Sequence, residues 1–180
     1  MNELPPPRLR GVKKNDLRRI AELEKIAFDA KALPRNTLDV MFDPSDGLWM
    51  LAEDDEDIWG YSINSRAADP AVGWIIGMAV HPDRRRLGWG QLLLKATIDR
   101  LDDYDMNVVR LLVDPRNKIA RRLYENFGFK DTGERADHFG DEPRILMSLL
   151  TNGSAASSRI RPERPADPDP FAVTGGTTCE

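Results

Sequence analysis

One short segment restricts the fold of this chain more than any other, because an apolar strand runs directly into an arginine- and glycine-rich turn. The strand is the run from Trp74 to Val80, and the turn at residues 81–90 reads His-Pro-Asp-Arg-Arg-Arg-Leu-Gly-Trp-Gly. Apolar periodicity then predicts a helix from Gly88 to Leu101. A strand, a glycine turn and a helix start in this order form an anion site, because free N–H groups and the positive end of the helix dipole point the same way.

The turn contains the residue types that bind phosphate well. Backbone N–H groups from Arg86 to Gln91 are expected to face the anion, and Gly88 and Gly90 lack the Cβ atoms that would hold phosphate oxygens away. The arginines at 84–86 add positive charge for phosphate oxygens or pair with nearby carboxylates. The spacing fits neither the dinucleotide-binding turn nor the nucleoside-triphosphate loop. A tight turn without a ligand is the structural alternative.

A second motif follows at residues 114–129, which read Asp-Pro-Arg-Asn-Lys-Ile-Ala-Arg-Arg-Leu-Tyr-Glu-Asn-Phe-Gly-Phe. Residues 85–90, Arg-Arg-Leu-Gly-Trp-Gly, resemble the coenzyme loop Arg/Gln-x-x-Gly-x-Gly/Ala of the GCN5-related N-acetyltransferase (GNAT) family. Residues 117–129 resemble the second motif of that family, Asn-x-x-Ala-x-x-Leu-Tyr-x-x-x-Gly-Phe. The resemblance covers roughly residues 8–150. Weaker likeness to the ribosomal-protein alanine acetyltransferase subgroup occurs at 22–28, 51–53 and 60–61.

The order of the predicted elements favours an α/β (α+β) domain with a mixed, mostly antiparallel central sheet flanked by helices. Strand signals occur at residues 9–12, 48–53, 58–63, 73–80, 108–113, 130–135 and 144–150. Helix signals occur from a cap at Asn15 to Phe28 and at residues 36–42, 88–101 and 117–127. The resemblance implies the acyl-coenzyme A N-acyltransferase fold of the GNAT family, which has the same order of elements.

The composition is that of a soluble protein with one core. The 180 residues suffice for one domain, assigned to residues 1–150, and the proline- and serine-rich segment 151–180 is expected to be a disordered tail. No apolar run is long enough to span a bilayer, and the N-terminus lacks the apolar core of a signal peptide. Cys179 has no second cysteine with which to pair. These features predict a cytoplasmic monomer or homodimer without membrane attachment.

The charge balance argues against a nucleic-acid partner. The net charge is −4, and the arginine runs at 84–86 and 121–122 lack the interleaved aromatic side chains on which bases stack. The resemblance instead implies acetyl-coenzyme A as co-substrate. It also implies direct transfer of the acetyl group, without a metal or a covalent enzyme intermediate.

The resemblance further implies which residues hold the coenzyme. The backbone of residues 78–80 would pair with the extended pantetheine arm, and the Met78 N–H would face the thioester carbonyl. Gly77 independently predicts a bulge or a close backbone approach. The expected coenzyme contacts are Met78, Ala79, Val80, Arg85, Arg86, Leu87, Gly88, Trp89, Gly90, Gln91 and Asn117.

Tyr124 is the predicted general acid. It follows Asn117 by seven positions, so both side chains lie near one helix face and reach the same cleft. A tyrosine hydroxyl, with a pKa of about 10, is protonated at neutral pH and can give a proton to a departing thiolate. Helix capping by Asn117 and aromatic packing of Tyr124 against Phe127 are the structural alternatives.

The general base has a weaker signal. By resemblance, N-terminal acetyltransferases carry a glutamate five residues before the motif asparagine, where this chain has Leu112. Asp114 has the same strand parity and is the predicted base, directly or through water, although Asp-Pro also starts turns. His138 is a second candidate, whereas His81 is expected to be structural.

Two functions fit these patterns. The first is an acetyl-coenzyme A-dependent N-acetyltransferase whose acceptor is a primary amine, on a protein N-terminus or on a small molecule. The second is a non-catalytic sensor or regulatory module of the same fold, which binds acetyl-coenzyme A and has lost its base.

Overall fold

The structure is a computed structural model that describes residues 6–45, 47–136 and 143–151. In this part of the chain seven strands form one sheet, in the order β1-β2-β3-β4-β5-β7-β6. The strands are β1 (Arg8–Gly11), β2 (Met50–Glu53), β3 (Ile58–Arg66), β4 (Val72–Val80), β5 (Val108–Val113), β6 (Lys130–Ala136) and β7 (Arg144–Leu150). Neighbouring strands are antiparallel except β4 and β5, which are parallel. The predicted fold class is confirmed.

Four α-helices and four 3₁₀ turns connect the described strands. The helices are α1 (Leu17–Phe28), α2 (Arg35–Phe42), α3 (Trp89–Asp103) and α4 (Lys118–Asn126). The 3₁₀ turns are Lys14–Asp16, Asp29–Lys31, Asp43–Ser45 and Pro82–Arg84. Within the described ranges, none of the helices has the length and apolarity needed to cross a bilayer.

The start of α1 differs from the prediction. Asn15 lies inside the 3₁₀ turn before α1 and does not cap the helix. Asp16 organises this entry, because its carboxylate accepts the Lys13 N–H at 2.7 Å and two hydrogen bonds from Arg10 at 2.7 and 3.1 Å. The sequence pattern missed this arrangement because Arg10 belongs to β1, a different element.

Helices cover both faces of the sheet. On one face α1 and α2 pack on an apolar cluster that includes Leu51, Tyr61 and Ile63. On the other face α3 and α4 pack on a second cluster that includes Val109 and Leu111. Side chains two positions apart on a strand point to the same face, which is why Val109, Leu111 and Val113 of β5 all belong to the second cluster. The two helix layers hold the central strands in place.

The two central strands separate part of the way along their length. Val72–Ile75 of β4 pairs with Val108–Leu111 of β5, and the pairing ends there. On its other side β4 continues along β3, where the register shifts by one residue so that Ile76 bulges out beside Gly77. The bulge predicted from Gly77 is therefore present. Beyond it, the edge of β4 that faces β5 has no strand partner among the described residues. We call the gap between residues 76–80 of β4 and the end of β5 the cleft.

A buried carboxylate fixes the connector between α1 and α2. Glu24 is almost fully buried, and its carboxylate accepts hydrogen bonds from the Tyr61 hydroxyl and, at 2.8 Å, from the Leu33 N–H. Burial raises the pKa of Tyr61 well above its usual value, and the neighbouring Glu24 adds to the shift, so the hydroxyl remains a donor. The connector is thereby attached to β3, next to β4.

Candidate functional site

The backbone of Met78 and Val80 forms the open edge of the cleft. The His81 N–H donates to the Trp59 carbonyl of β3 at 2.7 Å, so this N–H points toward β3. Because backbone polar groups alternate along a strand, those of Ala79 also point toward β3, while those of Met78 and Val80 point toward the cleft. The predicted contacts of an extended ligand therefore concern Met78 and Val80, and the geometry does not support a backbone contact from Ala79.

The turn before α3 holds a set of unused N–H groups. Arg86 and Gly88 have positive φ angles of 63° and 82°, so two residues within three positions are in the left-handed backbone conformation. The N–H groups of residues 86–90 donate to no acceptor in the described part of the chain, whereas the Gln91 N–H donates to the Gly88 carbonyl at 3.0 Å. Five N–H groups at the positive end of a fifteen-residue helix favour an anionic group. The expected contribution of the Gln91 N–H is not supported.

The three consecutive arginines have different surroundings. Arg84 is buried and paired with Asp54 at 3.2 Å. Arg85 is exposed and donates from Nε to the Val80 carbonyl at 3.0 Å, which ties the turn to the end of β4. The Arg86 side chain is exposed. The sequence suggested phosphate binding or local pairing for all three, and the structure assigns local pairing to Arg84.

The other residues of the turn contribute through their backbone or their shape. A Cβ at Gly88 would meet nothing within 4 Å, so the space in front of this residue is open. Trp89 is buried beneath the turn, whereas Leu87 is exposed. Gly90 lies against α4, because a Cβ there would be 3.9 Å from Leu123. The start of α3 thus packs against the second half of α4.

Asn117 and Tyr124 lie at the start and in the second half of the same helix, α4. Asn117 caps the helix, because its Oδ1 accepts the Ala120 N–H at 3.1 Å. Tyr124 is 9% exposed and its ring meets that of Phe129 at 5.7 Å between centroids. Burial raises the pKa of Tyr124 to about 12, and its hydroxyl has no hydrogen-bond partner within the ranges described. A coenzyme contact by Asn117 stays a prediction.

Asp114, the predicted base, is held by two arginines. Its carboxylate pairs with Arg116 at 2.8 Å and with Arg144 of β7 at 3.2 Å. Hydrogen bonds from the Arg116 side chain and backbone, with its charge and that of Arg144, hold the pKa of Asp114 well below its usual range. Such a carboxylate is a weak proton acceptor. Leu112 is half-buried and pairs with Leu146, so no carboxylate stands at that position.

The two histidines have different outcomes. His81 has a structural role, because its Nδ1 accepts the Asp83 N–H at 3.2 Å and its ring packs on Trp59 at 5.0 Å. His138 lies outside the described residues.

Two groups of residues beside the cleft escaped the sequence analysis. One is the Glu24–Tyr61 pair that anchors the α1–α2 connector. The other is the set of partners of Arg84, which lies over the Trp59 ring at 4.0 Å and pairs with Asp54; the sequence offered only local pairing without naming the partner. Each joins residues far apart in the chain, so local spacing gives no signal for either.

Comparison with known proteins agrees with this geometry. The family model described as "Acetyltransferase (GNAT) family" matches residues 14–129, more than half of the chain. The chain belongs to the GNAT family. The family resemblance stated from the two motifs is thereby confirmed.

Curated GNAT relatives are similar over about half of the chain. The [Ribosomal protein bS18]-alanine N-acetyltransferase of Salmonella typhimurium is 31% identical over 99 residues, which cover 53% of this chain and 66% of the relative. The mycothiol acetyltransferase of Acidimicrobium ferrooxidans is 32% identical over 105 residues, which cover 57% of this chain and 33% of the relative. The aligned region thus spans only about a third of the mycothiol acetyltransferase.

Solved GNAT structures share the fold over most of the chain. Ard1 from Thermoplasma volcanium superposes with a TM-score of 0.74 at 19% identity, covering 82% of this chain and 99% of that one. The ribosomal-protein-S18-alanine N-acetyltransferase from Escherichia coli gives a TM-score of 0.70 at 22% identity, covering 85% and 99%. At these identities the likeness establishes the fold.

Substitution of Gly88 tests the turn. We expect Gly88→Ala to weaken acetyl-coenzyme A binding at least tenfold in isothermal titration calorimetry, because the new Cβ projects into the open space that faces the unused N–H groups. The left-handed backbone also costs about 1–2 kcal/mol with a side chain present.

Gly133 provides the matched control for Gly88. It has a φ of 81°, its Cβ position is also open, and it lies on the outer strand β6. Gly133→Ala should cause a similar loss of stability in urea unfolding with unchanged coenzyme affinity. Equal affinities in the two variants would contradict the assignment of the turn.

Proposed function

We propose that the protein is an N-acetyltransferase that moves the acetyl group of acetyl-coenzyme A directly to a primary amine. One observation carries the proposal: in a GNAT-family chain, five unused N–H groups at the start of α3 adjoin an unpaired edge of β4. The first feature suits a diphosphate, and the second suits an extended arm that contains amides. Together they suit a coenzyme with both parts.

The residues of the cleft divide the work between binding and charge stabilisation. When bound, acetyl-coenzyme A supplies an acetyl group already activated as a thioester. The N–H groups of residues 86–90 bind the diphosphate, and the backbone of Val80 pairs with the arm. The Met78 N–H, which also points into the cleft, donates to the thioester carbonyl oxygen as negative charge develops on it.

Tyr124 stabilises the departing thiolate. With its pKa raised to about 12, the phenol stays protonated at every pH at which an enzyme of this kind operates. It is then a weaker acid than a thiol, whose pKa is about 8.5, so its main contribution is a hydrogen bond to the sulfur as negative charge builds up. The absence of a competing partner for the hydroxyl within the described residues supports this role.

The acceptor is the less defined part of the proposal. The relatives that act on ribosomal protein bS18 support a protein N-terminus, and the mycothiol acetyltransferases support a small-molecule amine. Leu112 stands where N-terminal acetyltransferases carry a glutamate, so its presence favours the small-molecule amine. The attacking amine then loses its proton to another group or to water.

A second function remains as an alternative. The engagement of Asp114 by Arg116 and Arg144 weakens the one carboxylate predicted as a base. That observation favours a module which binds acetyl-coenzyme A and signals its level without transferring the acetyl group.

A thiol-release screen distinguishes the two functions. The full chain with acetyl-coenzyme A is offered a panel of N-terminal peptides and small amines, and free coenzyme A is measured. We expect amine-dependent release with at least one acceptor class. Stabilisation by acetyl-coenzyme A in thermal unfolding without release across the panel would support the sensor. A chain that shows no stabilisation and no release would refute both functions.

Tyr124→Phe tests the role of the hydroxyl. We expect turnover to fall by about 10²-fold or more, the usual loss when one positioned hydrogen-bond donor to developing negative charge is removed, while the dissociation constant for acetyl-coenzyme A changes little. The wild-type rate should show no basic limb from Tyr124 below about pH 11, because the group loses its proton only near pH 12. Unchanged single-turnover rates in the variant would exclude the role.

Asp114→Asn tests the predicted base. A carboxylate whose pKa lies well below its usual range is already ionised at pH 5, so its titration cannot produce a rate change between pH 5 and 8. We expect an acidic limb in kcat/KM, set by the amine, that is the same in the wild type and the variant. Loss of the limb together with a large fall in rate would restore Asp114 as the base.

A further inference from the structure

We propose that Arg84 is a positioning residue for the coenzyme turn, the segment 85–88 between the 3₁₀ turn and α3. It holds this segment in its anion-binding shape through Asp54 and Trp59, without itself touching phosphate. The inference rests on the proposed function, since it concerns the turn that would bind acetyl-coenzyme A. The neighbouring arginines suggest that Arg84 binds phosphate, whereas the proposed role of Arg84 is to position the turn.

The contacts of the Arg84 guanidinium lie within the protein, although its buried Nε has no hydrogen-bond partner in the described part of the chain. Its Nη2 donates to Asp54 Oδ2 at 3.2 Å, and its central carbon lies 4.0 Å from the centroid of the Trp59 ring. The two charged side chains are only 12% and 7% exposed. Contact with a phosphate would require breaking a buried ion pair and uncovering the aromatic ring, and both changes are costly.

Asp54 is a fixed partner. Its Oδ1 accepts the N–H groups of Glu56 at 2.9 Å and Asp57 at 3.0 Å, which closes the turn between β2 and β3. Burial opposes its ionisation, but the Trp59 side chain, these N–H groups and Arg84 together lower the pKa of Asp54 to about 2. The carboxylate is therefore charged at neutral pH and presents a rigid anchor to the guanidinium.

The same cluster holds both ends of the coenzyme turn. Before the turn, the Arg84 N–H donates to the His81 carbonyl at 2.9 Å, and His81 itself is attached to Trp59. After the turn, the ring of Trp89, the first residue of α3, lies 5.9 Å from the Arg84 guanidinium. Arg84 thus lies between the aromatic residues that flank the turn.

The anchoring offsets a conformational cost. Between the two ends lie Arg86 and Gly88, both with positive φ. A non-glycine residue in this conformation costs about 1–2 kcal/mol and persists only where the surrounding structure enforces it. Without the Arg84 cluster the turn can relax, and the N–H groups of residues 86–90 would lose their common direction.

The proposal predicts that removing the negative charge of Asp54 weakens coenzyme binding, whereas Coulomb interactions alone predict stronger binding. Asn in place of Asp54 keeps the acceptor for the two backbone N–H groups but removes the negative charge. Removing a negative charge beside a diphosphate site should strengthen anion binding if only Coulomb interactions matter. If Arg84 acts through Asp54, the same change leaves a buried guanidinium unpaired, loosens the turn and weakens binding.

The experiment measures acetyl-coenzyme A affinity by isothermal titration calorimetry over a range of salt concentrations. We expect Asp54→Asn to weaken binding about tenfold and Arg84→Met about ten- to hundredfold, the scale of a displaced binding group. Because Arg84 makes no phosphate contact, Arg84→Met should keep the wild-type salt dependence, whereas Arg86→Gln should reduce it. The double variant should bind no more weakly than Arg84→Met, since the two residues act as a unit.

Arg100→Gln is the matched control. Arg100 lies near the other end of α3, where it donates to the Gly47 carbonyl at 2.9 Å and covers the Tyr104 ring, so the variant loses one positive charge and comparable contacts. Its acetyl-coenzyme A affinity should stay within about twofold of wild type, while circular dichroism verifies folding of each variant.

Each outcome decides the proposal. Unchanged or tighter binding by Asp54→Asn, or a reduced salt dependence in Arg84→Met, would overturn the positioning role while leaving the proposed function intact. If Arg84→Met does not fold, the sign of the Asp54→Asn effect decides alone. A wild-type chain that does not bind acetyl-coenzyme A would overturn this inference and the proposed function together.

Discussion

The separation of β4 from β5 is the constraint on which the rest of the structure depends. The two strands pair only from Val72 to Ile75, and a one-residue bulge at Ile76 then redirects β4 while β5 continues along β7. A sheet interior normally has no unpaired backbone, because buried N–H and C=O groups without partners are costly. The split leaves the N–H groups of Met78 and Val80 without a strand partner among the described residues, where a ligand with amides can pair with them.

The two helix layers turn this split into a site. α3 follows β4 after the turn at residues 81–88, and α4 follows β5 after residues 114–117. Packing of Gly90 against Leu123 brings the helices close together. The anion-binding turn and the open strand edge come from one segment of the chain, and α4, which carries Tyr124, packs beside the start of α3.

Buried charge is used for support around this surface. Glu24 anchors the α1–α2 connector through Tyr61 and Leu33, and Asp54 anchors the coenzyme turn through Arg84. Asp114 fixes the end of β5 to β7 through Arg144. A buried ion pair contributes little net stability by comparison with apolar packing, but losing one partner is expensive, so such pairs are suited to fixing geometry.

The sequence by itself determined the elements and the two motifs. Apolar periodicity located the strands and helices to within a few residues, because it records which face of each element is buried. Gly88 of the coenzyme turn and the Asn117 cap were also predictable, since a positive φ and a free helix end each restrict the residue type at one position.

Only the tertiary structure decided the partners of the charged residues. Arg84, Arg85 and Arg86 are equivalent in the sequence, yet one is buried against Asp54 and another holds the Val80 carbonyl. The sequence predicted Asp114 as a base, but the fold places Arg144 of β7 against its carboxylate. The pairing of β4 with β3 directs the backbone groups of Ala79 toward β3 and those of Met78 and Val80 toward the cleft. These outcomes depend on contacts between segments distant in the chain, which local spacing does not encode.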